Sequence, residues 1–243
     1  MITFPHPEAP RSARSLTTHP SFSIQSLTLL ISLVAPACAG AQRDPFATGT
    51  TPAASTTTTA VAILPAASIN GQTVAILPVT LVVADPTLQS DSVYAAYTDR
   101  RAALARADSL VSETIVSRAP EVNWVPPRDL RKIARRSAGY LEDPDQMGQA
   151  VLRAPKMLTV PDPLRSSLRS LMAVAGGRYA LVPAAIGFGP EPDGRIRADL
   201  SLVLADARTG KVVWRSLAHG HGKSPDQALS AALAAVLPLD GGQ

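Results

Sequence analysis

Hydrophobic residues recur every three to four positions in four stretches of the chain, a spacing typical of helices with one buried face. These helices are predicted to begin at Thr98 or Asp99, at Pro127, after Asp162-Pro163 and at Ser224-Pro225. The last start is the clearest, because Gln227 follows Ser224 by three residues, in the order of a capping box. The stretch 139–161 shows no such spacing and is predicted to be irregular and mobile.

Alternation of hydrophobic and polar residues, together with short β-rich runs, predicts the strands. The runs are 73–83, 122–125, 179–186, 195–204 and 211–217. Turn residues at 191–194 and 206–210 separate the last three runs, which therefore should form an antiparallel meander. With early crossovers before this meander and a final helix after it, the order predicts an α/β fold: a mixed sheet flanked by helices.

The sequence Val-Ala-Ile-Leu-Pro occurs twice, at 61–65 and 74–78, with Asn70-Gly71 between the copies. Asn-Gly between β-rich runs is a strong hairpin signal, because a tight turn needs positive φ at its central residues. The repeat therefore predicts a hairpin whose first arm is an edge strand, since Pro65 lacks an N–H, and whose second arm is a buried interior strand. The alternative is chance similarity in an alanine-rich chain.

An apolar run at 27–35 precedes the only cysteine, Cys38. No Asp, Glu, Lys or Arg occurs from 16 to 41, whereas Arg11 and Arg14 lie upstream. The run is shorter than the roughly 20 residues that span a bilayer. Since small residues follow it, 1–37 is predicted to be an export signal.

Cys38 decides the fate of the exported protein. Val-Ala-Pro-Ala-Cys at 34–38 resembles the lipobox of bacterial lipoproteins, except that Ala35 stands where that motif usually has leucine. Acylation of Cys38, for example by palmitate, would anchor the protein in a membrane of the cell envelope, facing the periplasm. The alternative is cleavage after Ala37, Ala39 or Ala41, which would give a soluble periplasmic or secreted protein.

The rest of the chain divides into a tether, a domain and a tail. The Thr-, Ala- and Pro-rich stretch 38–60 cannot bury a core and is predicted to be a disordered tether, which would hold the domain on the order of 25 Å from the membrane. One domain is predicted over 61–238 and a short tail over 239–243. The formal net charge of +4 is only mildly basic, so no nucleic-acid partner is expected.

The chain carries no strong catalytic or cofactor motif, and no cofactor is expected. Gly222-Lys223-Ser224 stands where a phosphate-binding loop would, but Leu217 occupies the position of its first glycine, so a helix cap is the better interpretation. His219 and His221 are two residues apart at a predicted strand end, a spacing that suits a metal site. Solvated loop histidines are the alternative.

The helix predicted at Pro127 has a strongly basic face. Its cations are Arg128, Arg131, Lys132, Arg135 and Arg136. Like charges this close repel one another and would be relieved by anionic lipids, cell-wall carboxylates or an acidic protein. These five residues are therefore the candidate partner-binding residues, with a solvated helix face as the alternative.

Several of these features together resemble a known group of envelope lipoproteins. They are the lipoprotein signal, the strand at 73–78, the Gly-Arg-Tyr-Ala-Leu-Val strand at 177–182 after a glycine-ended helix, and the hairpin at 206–214. In these the chain is similar to the curli-secretion-channel and penicillin-binding-protein-activator lipoprotein superfamily, and to the N-terminal domain of TolB. The resemblance implies a non-enzymatic domain that binds protein partners.

The sequence thus predicts an envelope lipoprotein that acts by protein contact, as an accessory or assembly factor with an envelope protein partner or with further copies of itself. The alternative is a periplasmic binding domain, or a metal-dependent hydrolytic domain, that uses the His219/His221 loop.

Overall fold

The computed structural model describes residues 61–238. The export signal, Cys38, the tether and the tail lie outside the described residues, so the interpretations of those segments stay predictions. Within 61–238, no helix combines the length and the apolar composition that crossing a bilayer requires.

In the described part of the chain, a mixed sheet of six strands forms the centre of the domain. The strands are β1 (Thr73–Ile76), β2 (Val82–Ala84), β3 (Asn123–Val125), β4 (Tyr179–Pro190), β5 (Ile196–Asp206) and β6 (Lys211–Gly222). Their order is β3-β1-β4-β5-β6, with β2 also paired to β4. The pairs formed by β1, β2 and β3 are parallel, whereas β4, β5 and β6 form an antiparallel meander. The predicted fold class is therefore confirmed.

Within residues 61–238, five α-helices accompany the sheet. They are α1 (Pro86–Gln89), α2 (Arg100–Arg118), α3 (Pro127–Arg136), α4 (Leu164–Ala175) and α5 (Pro225–Val236). The Asp99 carboxylate accepts the Ala102 N–H at 2.7 Å and so caps α2. At α5, the Ser224 hydroxyl accepts the Gln227 N–H at 3.3 Å. The four predicted helix starts are confirmed, and Gly222-Lys223-Ser224 leads from the end of β6 to the N-cap of α5.

Each face of the sheet has its own hydrophobic core. On one face, α2 and α5 pack over residues such as Leu181 and Leu200. On the other, α3, α4 and the stretch 141–160 pack over residues such as Val182 and Val203. That stretch is irregular, as predicted, apart from a short 3₁₀ helix at Gln149–Arg153. It is nevertheless well anchored, because the buried Gln149 amide donates to the carbonyl oxygens of Pro78 and Pro144.

The prediction of a hairpin around Asn70-Gly71 is wrong. Residues 61–65 form no strand, and the Leu64 N–H donates instead to the Val236 carbonyl at the end of α5. Gly71 does have the positive φ that a turn requires, +69°, but it leads from a 3₁₀ helix at Ala66–Ile69 into β1. Because β3 and β4 flank β1 on both sides, no free edge remains for the first copy of the repeat.

The single interior strand predicted for 73–83 is two short strands, β1 and β2, both beside β4. Pro78 has no N–H to give to the ladder, and the Val79 N–H turns to the carboxylate of Asp108 at 3.1 Å. A β-bulge between Pro183 and Ala185 of β4 faces the same interruption. The strand is therefore broken by its own proline and by a carboxylate from α2.

Candidate interaction surfaces

Half of one sheet face is left open in the described part of the chain. The half nearest the start of β4 lies under α3, α4 and 141–160, whereas the half nearest the end of β4 has no cover within 61–238. Three cross-strand rows of residues lie on this half. The first contains Val83, Gly187, Asp199 and His219. The second contains Gly189, Arg197 and His221, and the third contains Ala185, Ser201 and Leu217. Val83 and Leu217 are 51% and 56% exposed. These three rows form the open face.

Charged side chains on the open face are linked by a continuous set of contacts. The Nδ1 atom of His219 lies 2.7 Å from Asp199 Oδ1. Arg197 bridges Asp199 and Glu191 with N to O distances of 3.2 and 3.4 Å. His221 Nδ1 lies 3.7 Å from the same Glu191 oxygen. Because the cationic partners are exposed and the two carboxylates are only half-buried, each pair contributes no more than about 1 kcal/mol. The open face presents nearly balanced charge.

The two histidines lie within β6, because the strand extends beyond the predicted end at 217 to Gly222. The alternative of solvated loop histidines is therefore wrong. Both histidines point to the same side of the sheet, as a spacing of two in a strand requires. Each ring faces a carboxylate through Nδ1. Among residues 61–238, no group of three or more His, Cys, Asp or Glu side chains is arranged to hold a metal ion.

The outer edge of β6 is unpaired over most of its length. At its start, the Val212 N–H donates to the Leu158 carbonyl and the Val160 N–H donates to the Gly210 carbonyl. From Val213 to Gly222, no backbone group of 61–238 pairs with this edge. Val213 is 50% exposed and Leu217, farther along the same strand, is 56% exposed. A long edge with exposed apolar residues is a template on which another strand pairs.

The basic face of α3 is partly neutralised by ion pairs within the domain. Arg131 Nη1 lies 2.8 Å from Asp108 Oδ2, and Arg131 Nη2 lies 2.7 Å from Asp145 Oδ1. Lys132 Nζ pairs with Asp129 at 2.9 Å. Hydrogen bonds from Arg131 to Asp145 and Asp108 raise the pKa of this guanidinium against the effect of its burial.

Two of the five predicted partner-binding cations are thus held in structural ion pairs. Arg128 approaches Asp129 only at 3.9 Å, and Arg135 and Arg136 are exposed with no ion pair to residues 61–238. The α3 face remains a predicted binding surface, but these three arginines would carry most of its free charge.

Asp108 is the charged residue that sequence reasoning missed. Its side chain is only 7% exposed, and its carboxylate accepts the Val79 N–H and the Arg131 guanidinium. Burial raises the pKa of Asp108, although the Arg131 hydrogen bond and charge oppose it. The sequence does contain a signal for this buried ion pair. Asp108 lies four residues after Leu104 on the apolar stripe of α2, and a charged side chain buried there needs a partner.

No protein-family model matches the chain, and no curated protein matches it either. The chain is similar to several solved structures. One is the PelC dodecamer from Paraburkholderia phytofirmans, with 16% identity, a TM-score of 0.35, and coverage of 74% of this chain and 92% of that chain. Another is the C-terminal domain of LpoB from Salmonella enterica, with 14% identity, a TM-score of 0.33, and coverage of 64% and 84%. A third is lipoprotein GNA1162 from Neisseria meningitidis, with 15% identity, a TM-score of 0.30, and coverage of 63% and 82%.

PelC and LpoB are thus among the solved structures to which this chain is similar, and membership of the predicted lipoprotein superfamily stays a prediction. The likeness to the N-terminal domain of TolB stays a prediction. At these identities and TM-scores, the neighbours assign no function and no residue role to this chain.

Proposed function

We propose that this chain is a bacterial envelope lipoprotein, anchored through acylated Cys38 and facing the periplasm, whose α/β domain works by binding another protein. It acts as a non-enzymatic accessory or assembly factor. The lipobox-like sequence at 34–38 supports the anchor, and the polar tether at 38–60 supports a domain displaced from the membrane.

The unpaired edge of β6 is the observation that carries the binding role. A partner that offers an extended segment gains backbone hydrogen bonds along 213–222, and its side chains contact Val213 and Leu217. The nearly balanced charges of the open face make a strongly charged partner a poor fit for this surface. The proposed occupant is therefore an extended, mostly apolar segment of a different envelope protein.

A photoreactive residue at position 217 tests this assignment in the native cell. We expect it to yield one adduct with a distinct envelope protein. Val213→Lys in the same chain should reduce that adduct several-fold, because a lysine on a strand edge opposes pairing with another strand. The measurement is the adduct yield on a gel, with the captured peptide mapped by mass spectrometry.

Position 116 provides the matched control. Val116 is 40% exposed on α2, on the opposite side of the sheet from the open face. The same adduct formed equally well from position 116, an adduct that Val213→Lys leaves unchanged, or an adduct of two copies of this chain alone would contradict the proposed partner.

The lipid anchor is tested separately through Cys38. We expect the native protein to begin at Cys38 with a mass increased by acyl chains, and to sediment with membranes. Cys38→Ser should move it to the soluble periplasmic or secreted fraction. An intact Met1 with an unmodified Cys38 in a cytosolic fraction would contradict the proposed location.

A further inference from the structure

A second cationic surface lies at the end of the sheet where β5 turns into β6. Arg169 Nη2 donates to the Arg208 carbonyl at 3.0 Å, which brings α4 against this turn. A Cβ placed on Gly210 would lie 2.8 Å from Arg165 Cδ, so the Arg165 side chain crosses the same turn. Lys211 is bridged to Thr159 on the neighbouring segment. We call Arg165, Arg169, Arg208, Lys211 and the adjoining Leu158 the basic end.

Charge and exposure distinguish the basic end from the α3 face. No ion pair within 61–238 involves its four cations, and all except the half-buried Arg165 are exposed. Leu158 is 76% exposed, and its carbonyl accepts the Val212 N–H beside Lys211. Nearby Asp206 is neutralised by Arg178 at 2.7 Å. Unpaired cations around an exposed leucine suit a surface that is apolar at depth and anionic at its border.

The chain enters the domain at this same end of the sheet. Val74, at the start of β1, pairs with Tyr179, which pairs with Asp206, which pairs with Lys211. The first described residues lie at the end of α5, since the Leu64 N–H donates to the Val236 carbonyl and Arg118, the last residue of α2, donates to the neighbouring Leu237 carbonyl. The tether predicted at 38–60 therefore joins the domain at the same end of the sheet as the basic end, on the face that α2 and α5 cover.

The far end of the sheet carries charges of both signs. Its acids are Asp85, Asp91, Asp99, Glu191 and Asp193, and its cations include Arg100, Arg101, Arg195 and Lys223. Asp193 is paired with Arg195, and Glu191 with Arg197. An anionic surface would therefore attract the unpaired cations of the basic end more strongly than the mixed charges of the far end.

We infer that the basic end docks on the anionic phospholipid headgroups of the membrane that holds Cys38. The inference rests on the proposed lipid anchor, which keeps the domain on the order of 25 Å from that surface. At that range the cations need only approach within about 10 Å to be attracted, the Debye length at moderate salt. Docking fixes the tether end to the bilayer and turns the open face sideways, so that β6 is accessible to a partner.

Vesicle binding tests the docking independently of acylation. The full chain carrying Cys38→Ser is mixed with vesicles of phosphatidylglycerol and phosphatidylcholine, or of phosphatidylcholine alone, at low salt. We expect clear preference for the anionic vesicles. In the same background, Arg169→Glu, Arg208→Glu and Lys211→Glu together should weaken that binding more than tenfold, since each basic residue near an anionic surface contributes about fivefold.

The matched control reverses three exposed cations at the far end of the sheet, namely Arg100→Glu, Arg101→Glu and Lys223→Glu. This set changes the net charge equally but should leave vesicle binding within about twofold, since it lies off the docking surface. Equal losses in both sets, or no preference for anionic vesicles, would overturn the inference. If charge reversal unfolds the protein, the neutralising substitutions Arg169→Gln, Arg208→Gln and Lys211→Gln provide a milder set.

The outcome is separable from that of the proposed function. A failure in vesicles leaves the crosslink from position 217 and the acyl mass on Cys38 unaffected. The inference would also be overturned if the triple reversal at 169, 208 and 211 left vesicle binding unchanged but abolished binding to an acidic protein. That result would assign the basic end to a protein partner.

Discussion

Gly220→Ala is expected to lower the free energy of unfolding by about 3 kcal/mol, at the upper end of the cost of overpacking a core. A Cβ at Gly220 would lie 2.1 Å from the Ala228 carbonyl oxygen and 2.2 Å from the Ala232 nitrogen. Both are backbone atoms of α5, so no side-chain rotation relieves the clash and the helix must move off the sheet. The melting temperature of the full chain should fall by about 6–12 °C, measured by circular dichroism.

Gly187→Ala is the matched control for this substitution. Gly187 lies on β4 in the same sheet but faces the open face, where its nearest neighbour would be Asp199 Cβ at an ordinary 3.7 Å. This variant should change stability by no more than about 0.5 kcal/mol. Similar losses from both substitutions would show that the cost is the general one of removing a glycine from a strand, and not the close approach of α5.

The elements that could be predicted from the sequence have signals contained within a few residues. The turn at 206–210 is one of them, because the Asp206 carboxylate accepts the N–H groups of Arg208 and Thr209. The helix caps at Asp99 and Ser224 are others. Each signal is complete before any tertiary contact forms, which is why the meander and the helix starts agree with the structure.

The misassigned hairpin shows where such local signals fail. Asn70-Gly71 has the backbone conformation that its sequence favours, but the partners of β1 are β3 and β4, distant in sequence and parallel to it. The backbone groups of β1 pair with β3 and β4 instead of with the copy at 61–65. No local sequence pattern shows which of these segments becomes the pairing partner of β1. Tertiary pairing, not turn chemistry, decided this part of the fold.

The candidate surfaces were only half predictable for the same reason. The alternation in β6 predicts that Leu217, His219 and His221 share one side. Whether that side is covered depends on where 141–160 packs, and that stretch has no periodic pattern. The α3 face likewise looked uniformly basic because the partners of Arg131 come from α2 and from the irregular stretch.

Asp108→Ala is expected to lower the free energy of unfolding by about 3 kcal/mol, the order found when one partner of a buried ion pair is removed. The substitution leaves the Val79 N–H without its acceptor at the break between β1 and β2. It also leaves the half-buried Arg131 with Asp145 alone. Thermal melting of the full chain should report a decrease of about 6–12 °C.

Two further variants separate the buried carboxylate from an ordinary surface charge. Asp129→Ala removes the partner of Lys132 in an exposed pair and should cost at most about 1 kcal/mol. Asp108→Asn keeps an acceptor for the Val79 N–H and should cost less than Asp108→Ala. An Asp129→Ala loss as large as that of Asp108→Ala would contradict the structural role of Asp108.

The pH dependence provides a second measurement on the same group. Burial raises the pKa of Asp108 above its unfolded value of about 3.9, so the folded state binds this proton more tightly than the unfolded state does. The stability that the proton contributes is fully present below the unfolded pKa and is lost as the pH rises through the folded pKa. The side chain of Asp108→Asn does not titrate and so serves as the reference.

The stability of the wild type relative to Asp108→Asn should therefore decrease as the pH is raised from about 4. An increase over that range would mean that the Arg131 charge outweighs burial and lowers the pKa of Asp108 in the folded protein.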